Sequence, residues 1–155
     1  MTARRFWTSW RDPLLLVDVN VLVYAHAVEA ERHAEYRDWL RALIESESAF
    51  GLSDLVLSGF LRVVTNPRVF DPPTPMTAAL EAADALRTRP NCVRVTPSDR
   101  HWDIFRRLCG HSGVKGNLVP DAYLAALAID SGSEWITTDR DYARFSGLKW
   151  RHPLD

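Results

Sequence analysis

Leu14, Leu15, Leu16 and Val17 form an uninterrupted apolar run that stops at Asp18. A run this short, with no polar alternation, marks a strand buried on both faces, as in the interior of a parallel sheet. A parallel neighbour cannot be reached through a tight turn; it needs a crossover, usually helical. The rest of the chain has that form. Strand-like runs at 49–52, 91–96, 134–137 and 148–150 alternate with helical segments at 20–27, 29–46, 54–65, 77–87, 99–109, 120–130 and 142–145. Tyr36, Leu40, Leu43 and Ile44 fall on one helical face. Ser53 suits the cap of the helix at 54–65, and Asn66-Pro67 ends it. Pro120 suits a first helical turn. The expectation is an α/β fold with a central, mostly parallel sheet and helices on both faces. The length of 155 residues fits one domain over 14–155, with residues 1–13 as a lead-in that carries Trp7 and Trp10.

In open parallel sheets, ligands bind beyond the carboxyl ends of the strands. Asp18 and Asp139 follow two of the apolar runs, and Asp121 falls in the first turn of a helix. Taken singly, each has an ordinary alternative: Asp18 as a helix cap, Asp121 as a carboxylate at the positive end of a helix dipole. Taken together, they would converge on one sheet edge, where two or three carboxylates hold a hard cation such as Mg²⁺ or Mn²⁺. Such an ion polarises a phosphate and lowers the pKa of a bound water. Asn20 and Thr137 lie close enough in sequence to Asp18 and Asp139 to steady a ligand. Asp141 is either a further ligand or a solvated surface acid. Arg62 and Arg68 flank the Val63-Val64-Thr65-Asn66-Pro67 turn and would meet a phosphate or a partner's carboxylate, or remain solvated on a helix face.

Composition excludes more than it selects. The net charge of −1 points to no particular partner, but residues 1–85 carry −4 and residues 86–154 carry +4. Seventeen of the nineteen basic residues are Arg, which grips phosphate in a bidentate way; a GC-rich coding sequence would produce the same bias. Cys92 and Cys109 have no zinc or redox spacing and read as reduced thiols of a cytoplasmic protein. Arg4-Arg5 is followed by no unbroken apolar stretch, so neither an export signal nor a membrane span is expected.

Four ordered segments carry a family resemblance: Leu-Leu-Val-Asp-Val-Asn-Val-Leu-Val-Tyr-Ala at 15–25, Gly-Phe-Leu-Arg-Val-Val-Thr-Asn-Pro-Arg-Val-Phe at 59–70, Val-Pro-Asp-Ala-Tyr-Leu-Ala-Ala-Leu-Ala at 119–128 and Thr-Thr-Asp-Arg-Asp-Tyr-Ala-Arg-Phe at 137–145. The chain resembles the PIN-domain ribonucleases, and among them the VapC-type toxins. The resemblance implies a PIN-like three-layer α/β/α fold over 14–155 and a metal-dependent endoribonuclease, the toxin of a VapBC-type toxin–antitoxin pair, that cleaves RNA by metal-activated water. It also implies Mg²⁺ or Mn²⁺ as cofactor, a VapB-type antitoxin as partner, tRNA or rRNA as substrate, and a homodimer. Of the family's four acids, Asp18 matches the first, Asp121 the third and Asp139 the fourth. The family's second acid, a Glu in the helix after the second strand, aligns with Gly59. Asp54, the only acid of that helix, and Asp141 are the candidate fourth acids; five residues turn a helix by about 140°, so Asp54 replaces an acid at 59 poorly unless the helix starts or bends differently. Two alternatives stand beside this reading. One is a non-catalytic PIN-like binding module. The other is a haloacid-dehalogenase-like phosphohydrolase, which would need an acid where Asn20 stands.

Overall fold

A computed structural model describes residues 12–111 and 113–155. Apart from Asp12 and Pro13, the expected lead-in over 1–13 lies outside the described residues. In chain order the elements are β1 (Leu15–Val17), α1 (Val19–His26), α2 (His33–Glu45), β2 (Phe50–Leu52), α3 (Asp54–Val64), α4 (Met76–Arg87), β3 (Cys92–Arg94), α5 (His101–His111), α6 (Leu118–Ser131), β4 (Glu134–Ile136), a 3₁₀ turn (Arg140–Arg144) and β5 (Trp150–Arg151).

The strands form one sheet in the order β3-β2-β1-β4-β5, and all four pairings are parallel. The central strands are apolar because both faces are covered: Leu16, Val17, Phe50, Leu52, Trp135 and Ile136 are all buried. The β3 edge is open, with Val93 43% exposed. From β1 the chain steps outward to β2 and β3, then returns past them to β4. Right-handed crossovers therefore place α1–α4 on one face and α5 and α6 on the other. The small side chains of Ala122, Ala125, Ala126 and Ala128 are buried, which lets α6 lie close under the sheet. Cys92 and Cys109 are both free thiols. Among the described residues no helix is long and apolar enough to cross a membrane.

Local departures from the expected boundaries have identifiable causes. The helix expected from 29 starts at His33, because Arg32 takes a left-handed φ of 59° where the chain reverses between α1 and α2. The His33 ring bonds the Tyr24 carbonyl at 2.8 Å and holds that reversal. The last long helix starts at Leu118, so Pro120 is its third residue rather than its first. Its missing N–H still falls among the four that a helix start leaves unpaired. Gly132, at φ 66°, closes that helix in the left-handed conformation that glycine adopts freely.

Candidate metal centre

The strand order reverses direction between β1 and β4, so the switch point of the sheet lies between their carboxyl ends. Asp18 continues the ladder, its N–H donating to the Ile136 carbonyl at 2.9 Å. At once it also caps α1, its Oδ1 accepting the Val19 N–H at 2.6 Å. Capping was the ordinary alternative for this residue, and the structure shows that it does not compete with facing the cleft. The second oxygen, Oδ2, accepts the Thr137 hydroxyl at 2.7 Å. The same hydroxyl accepts the Asp139 N–H at 3.0 Å. One fully buried threonine therefore sets the spacing between the ends of β1 and β4.

Asp139 in turn caps the 3₁₀ turn, its Oδ1 accepting the Asp141 N–H at 2.9 Å. That turn buries Tyr142, whose hydroxyl donates to Asp121 Oδ1 at 3.2 Å. Asp121 reaches the cleft from the first turn of α6. The sequence reading missed Tyr142; its signal is the three-residue step from Asp139, which a tight turn places over the same cleft.

Asp18, Asp121 and Asp139 border one cleft of about 470 Å³, together with Asn20, Gly59, Arg62 and Tyr142. The remaining candidates lie elsewhere. Asp54 is mostly exposed and holds Arg87 through two bonds, at 2.9 and 3.2 Å, away from the cleft lining. Arg87 keeps the Asp54 carboxyl below the usual carboxylate range. The Asp141 side chain is exposed. Arg68 sits in the turn after α3, its N–H bound to the Asn66 side chain at 2.9 Å. At Gly59, α1 approaches α3 so closely that a Cβ would stand 2.8 Å from Val19 Cγ2.

The charges in the cleft oppose one another. Burial pushes the Asp18 carboxyl up to about 6; the bonds from Thr137 and Val19 pull it down, and the charges of Asp121 and Asp139 raise it further. Asp121 is also raised, first by burial, with Asp139 adding to the rise and the Tyr142 hydroxyl and Arg144 opposing it. Burial and these same carboxylates raise the Tyr142 phenol, so it stays a donor.

Carboxylates that raise one another's affinity for a proton form a site that a cation relieves. Among the described residues, no three acidic, imidazole or thiol side chains close into a cage around one point. Carboxylate oxygens in an open cleft fit a hydrated Mg²⁺ or Mn²⁺, which keeps several waters and uses few protein ligands. Oδ2 of Asp121 and of Asp139 has no hydrogen-bond donor among the described residues.

A PIN domain family profile matches residues 15–148. The VapC ribonuclease Mb2897 of Mycobacterium bovis is 49% identical over 142 residues, 92% of this chain and 97% of that protein. Ribonuclease VapC25 of Mycobacterium tuberculosis is 34% identical over 140 residues, 90% of this chain and 99% of its own length. Among solved structures, VapBC2 from Rickettsia felis bound to a DNA fragment from its promoter superposes with a TM-score of 0.64 at 17% identity, covering 90% of this chain and 98% of that one. Mycobacterium tuberculosis VapC20, described as a sarcin-ricin loop cleaving toxin, gives 0.59 at 20% identity, covering 87% of this chain and 98% of that one. At those identities the structures speak for the fold alone. The sequence relatives speak for the lineage, and the chain belongs to the PIN domain family, on its VapC branch.

Proposed function

We propose that this protein is a metal-dependent endoribonuclease and the toxin of a toxin–antitoxin pair. The convergence of Asp18, Asp121 and Asp139 at the sheet's switch point carries the reading, and relatives named as ribonucleases over nearly the whole chain support it. In this reading the three aspartates hold Mg²⁺ or Mn²⁺. When bound, the ion offsets phosphate charge and lowers the pKa of water. Thr137 orients Asp18, and Tyr142 orients Asp121. Water as the nucleophile, with the P–O3′ bond breaking and the 3′-oxygen leaving with a proton, gives 5′-phosphate and 3′-hydroxyl ends. The test is cleavage of a structured RNA, tRNA or rRNA, with Mg²⁺ and then with EDTA. Chelation should abolish cleavage; full activity in EDTA, or 2′,3′-cyclic ends, would overturn the mechanism. The proposed partner is a VapB-type antitoxin in the cytoplasm, with the toxin acting as a homodimer.

Arg62 gives the cleft its opposite pole. It is exposed, one turn beyond Gly59, and pairs with none of the three aspartates among the described residues. In the same proposal its guanidinium takes an RNA phosphate. Arg62→Ala should raise KM roughly fivefold, about 1 kcal/mol, and flatten the log–log salt dependence of RNA binding by about 0.7 for one lost contact to a single strand. An unchanged salt slope would remove Arg62 from the substrate path.

A further inference from the structure

Each carboxylate that borders the aspartate cleft has at least one oxygen engaged by a donor. The Val19 N–H and the Thr137 hydroxyl take the two oxygens of Asp18. The Asp141 N–H takes Oδ1 of Asp139, and the Tyr142 hydroxyl takes Oδ1 of Asp121. Two of these donors are main-chain groups that come with a cap, of α1 or of the 3₁₀ turn. Thr137 is tied from both sides, to Asp18 and to the Asp139 N–H. Tyr142 differs from all of them. Its hydroxyl crosses from the 3₁₀ turn to α6, and a single atom can be removed from it without touching a cap.

The phenol is itself held. Tyr142 is 2% exposed, and its ring centre lies 5.5 Å from that of Trp135 and 5.7 Å from that of Phe145. A ring packed in this way does not follow Asp121 if the carboxylate turns. To chelate one cation with both oxygens, Asp121 would have to give up its bond to Tyr142. That constraint bears unequally on different ions. Mg²⁺ binds at about 2.0–2.1 Å and keeps several waters, so single carboxylate oxygens serve it. Ca²⁺ takes about 6–8 oxygens at about 2.3–2.6 Å and gains from carboxylates that chelate with both. With glycine at 59, Asp18, Asp121 and Asp139 are the three carboxylates of the lining, and no fourth makes up the number.

On the reading that these three aspartates hold the ion, we propose that Tyr142 is a specificity-determining residue of the centre: by holding Oδ1 of Asp121 it keeps that aspartate to one metal-binding oxygen, and so favours Mg²⁺ or Mn²⁺ over Ca²⁺. Tyr142 acts through Asp121, as a positioning residue, and does not touch the substrate. Phenylalanine would fill the same place between Trp135 and Phe145 and leave the carboxylate free to turn. The hydroxyl, not the ring, therefore carries the selectivity.

The test is a metal competition on the full chain, without RNA. The electron paramagnetic resonance signal of free Mn²⁺ counts the ion left unbound, and Mg²⁺ or Ca²⁺ added against it gives their affinities. Wild type should prefer Mg²⁺ to Ca²⁺. Tyr142→Phe should narrow that preference about tenfold, the lower end of what partners of metal ligands contribute, through weaker Mg²⁺ and tighter Ca²⁺ binding. In the metal-free protein the same substitution should move the ¹³C resonance of the Asp121 carboxyl and leave those of Asp18 and Asp139 in place. An unchanged preference, equal weakening of all three ions as from a packing defect, or a wild type that prefers Ca²⁺ would each overturn the proposal. If RNA is cleaved with Mg²⁺ while the preference ignores Tyr142, the nuclease reading stands and the selectivity role falls. If the preference shifts as described while no RNA is cleaved, Tyr142 keeps its role and the nuclease reading falls.

Discussion

Asp18→Asn is expected to cut RNA cleavage at least about a hundredfold, since even outer partners of metal ligands cost 10–100-fold, and to make the metal-free protein harder to unfold at neutral pH. The second effect follows from burial. The folded Asp18 carboxyl titrates at about 6 against an ordinary value of 3.8, so the native state holds its proton more tightly than the unfolded chain does. That preference stabilises the fold fully below about 3.8 and is lost as pH rises through about 6. A shift of about two units corresponds to roughly 3 kcal/mol. The asparagine keeps an acceptor for Val19 and a polar partner for Thr137 without carrying the charge. Urea unfolding in EDTA should show wild-type stability falling across that window relative to the variant. Parallel curves would contradict the buried-charge account. Mn²⁺ at a hundred times its Kd should stabilise the wild type by about 2.7 kcal/mol and leave the variant unmoved.

Gly59→Glu, which places an acid where the family resemblance leads one to expect it, is expected to destabilise the protein by about 1–3 kcal/mol, the usual cost of overpacking. A Cβ at 59 would meet Val19 Cγ2 at 2.8 Å, and valine in a helix has little freedom to turn aside. Combining it with Val19→Ala should recover much of the loss and tighten Mn²⁺ binding several-fold, because the cleft then gains a carboxylate. A double-mutant cycle in urea measures the coupling, expected at about 1–2 kcal/mol. Strict additivity would mean that α1 and α3 yield to the new side chain. Gly59 and Val19 form one packing solution, since a side chain at 59 meets the valine.

Much of this architecture was readable from local pattern. The apolar run at 14–17 corresponds to β1, and the turn residues around 53 and 66–67 bracket α3 correctly. What local pattern could not reveal depends on partners far along the chain. The highly charged stretch 29–32 reads as helix by composition, yet Arg32 is drawn into a left-handed turn by the need to fold α2 back on α1. Spacing left Asp54 as a candidate for the acid missing at 59. Its actual partner, Arg87, is 33 residues away and was invisible to spacing. At the cleft, the three aspartates could be picked out by their strand-end and helix-start positions, whereas Tyr142 was hidden because its reach to Asp121 depends on the 3₁₀ turn that Asp139 itself starts.

The Thr137 hydroxyl has a consequence for the timing of biosynthesis. It joins Asp18 to a residue 119 positions later, and β1 finds β4 only when Glu134–Ile136 is available to pair. A growing chain on the ribosome thus carries Asp18 for 119 residues before it carries Thr137. Until its last strands have emerged, Asp18 has neither the threonine that orients it nor the aspartate that faces it. On the proposed function, the polypeptide lacks its complete aspartate cleft through most of its own synthesis.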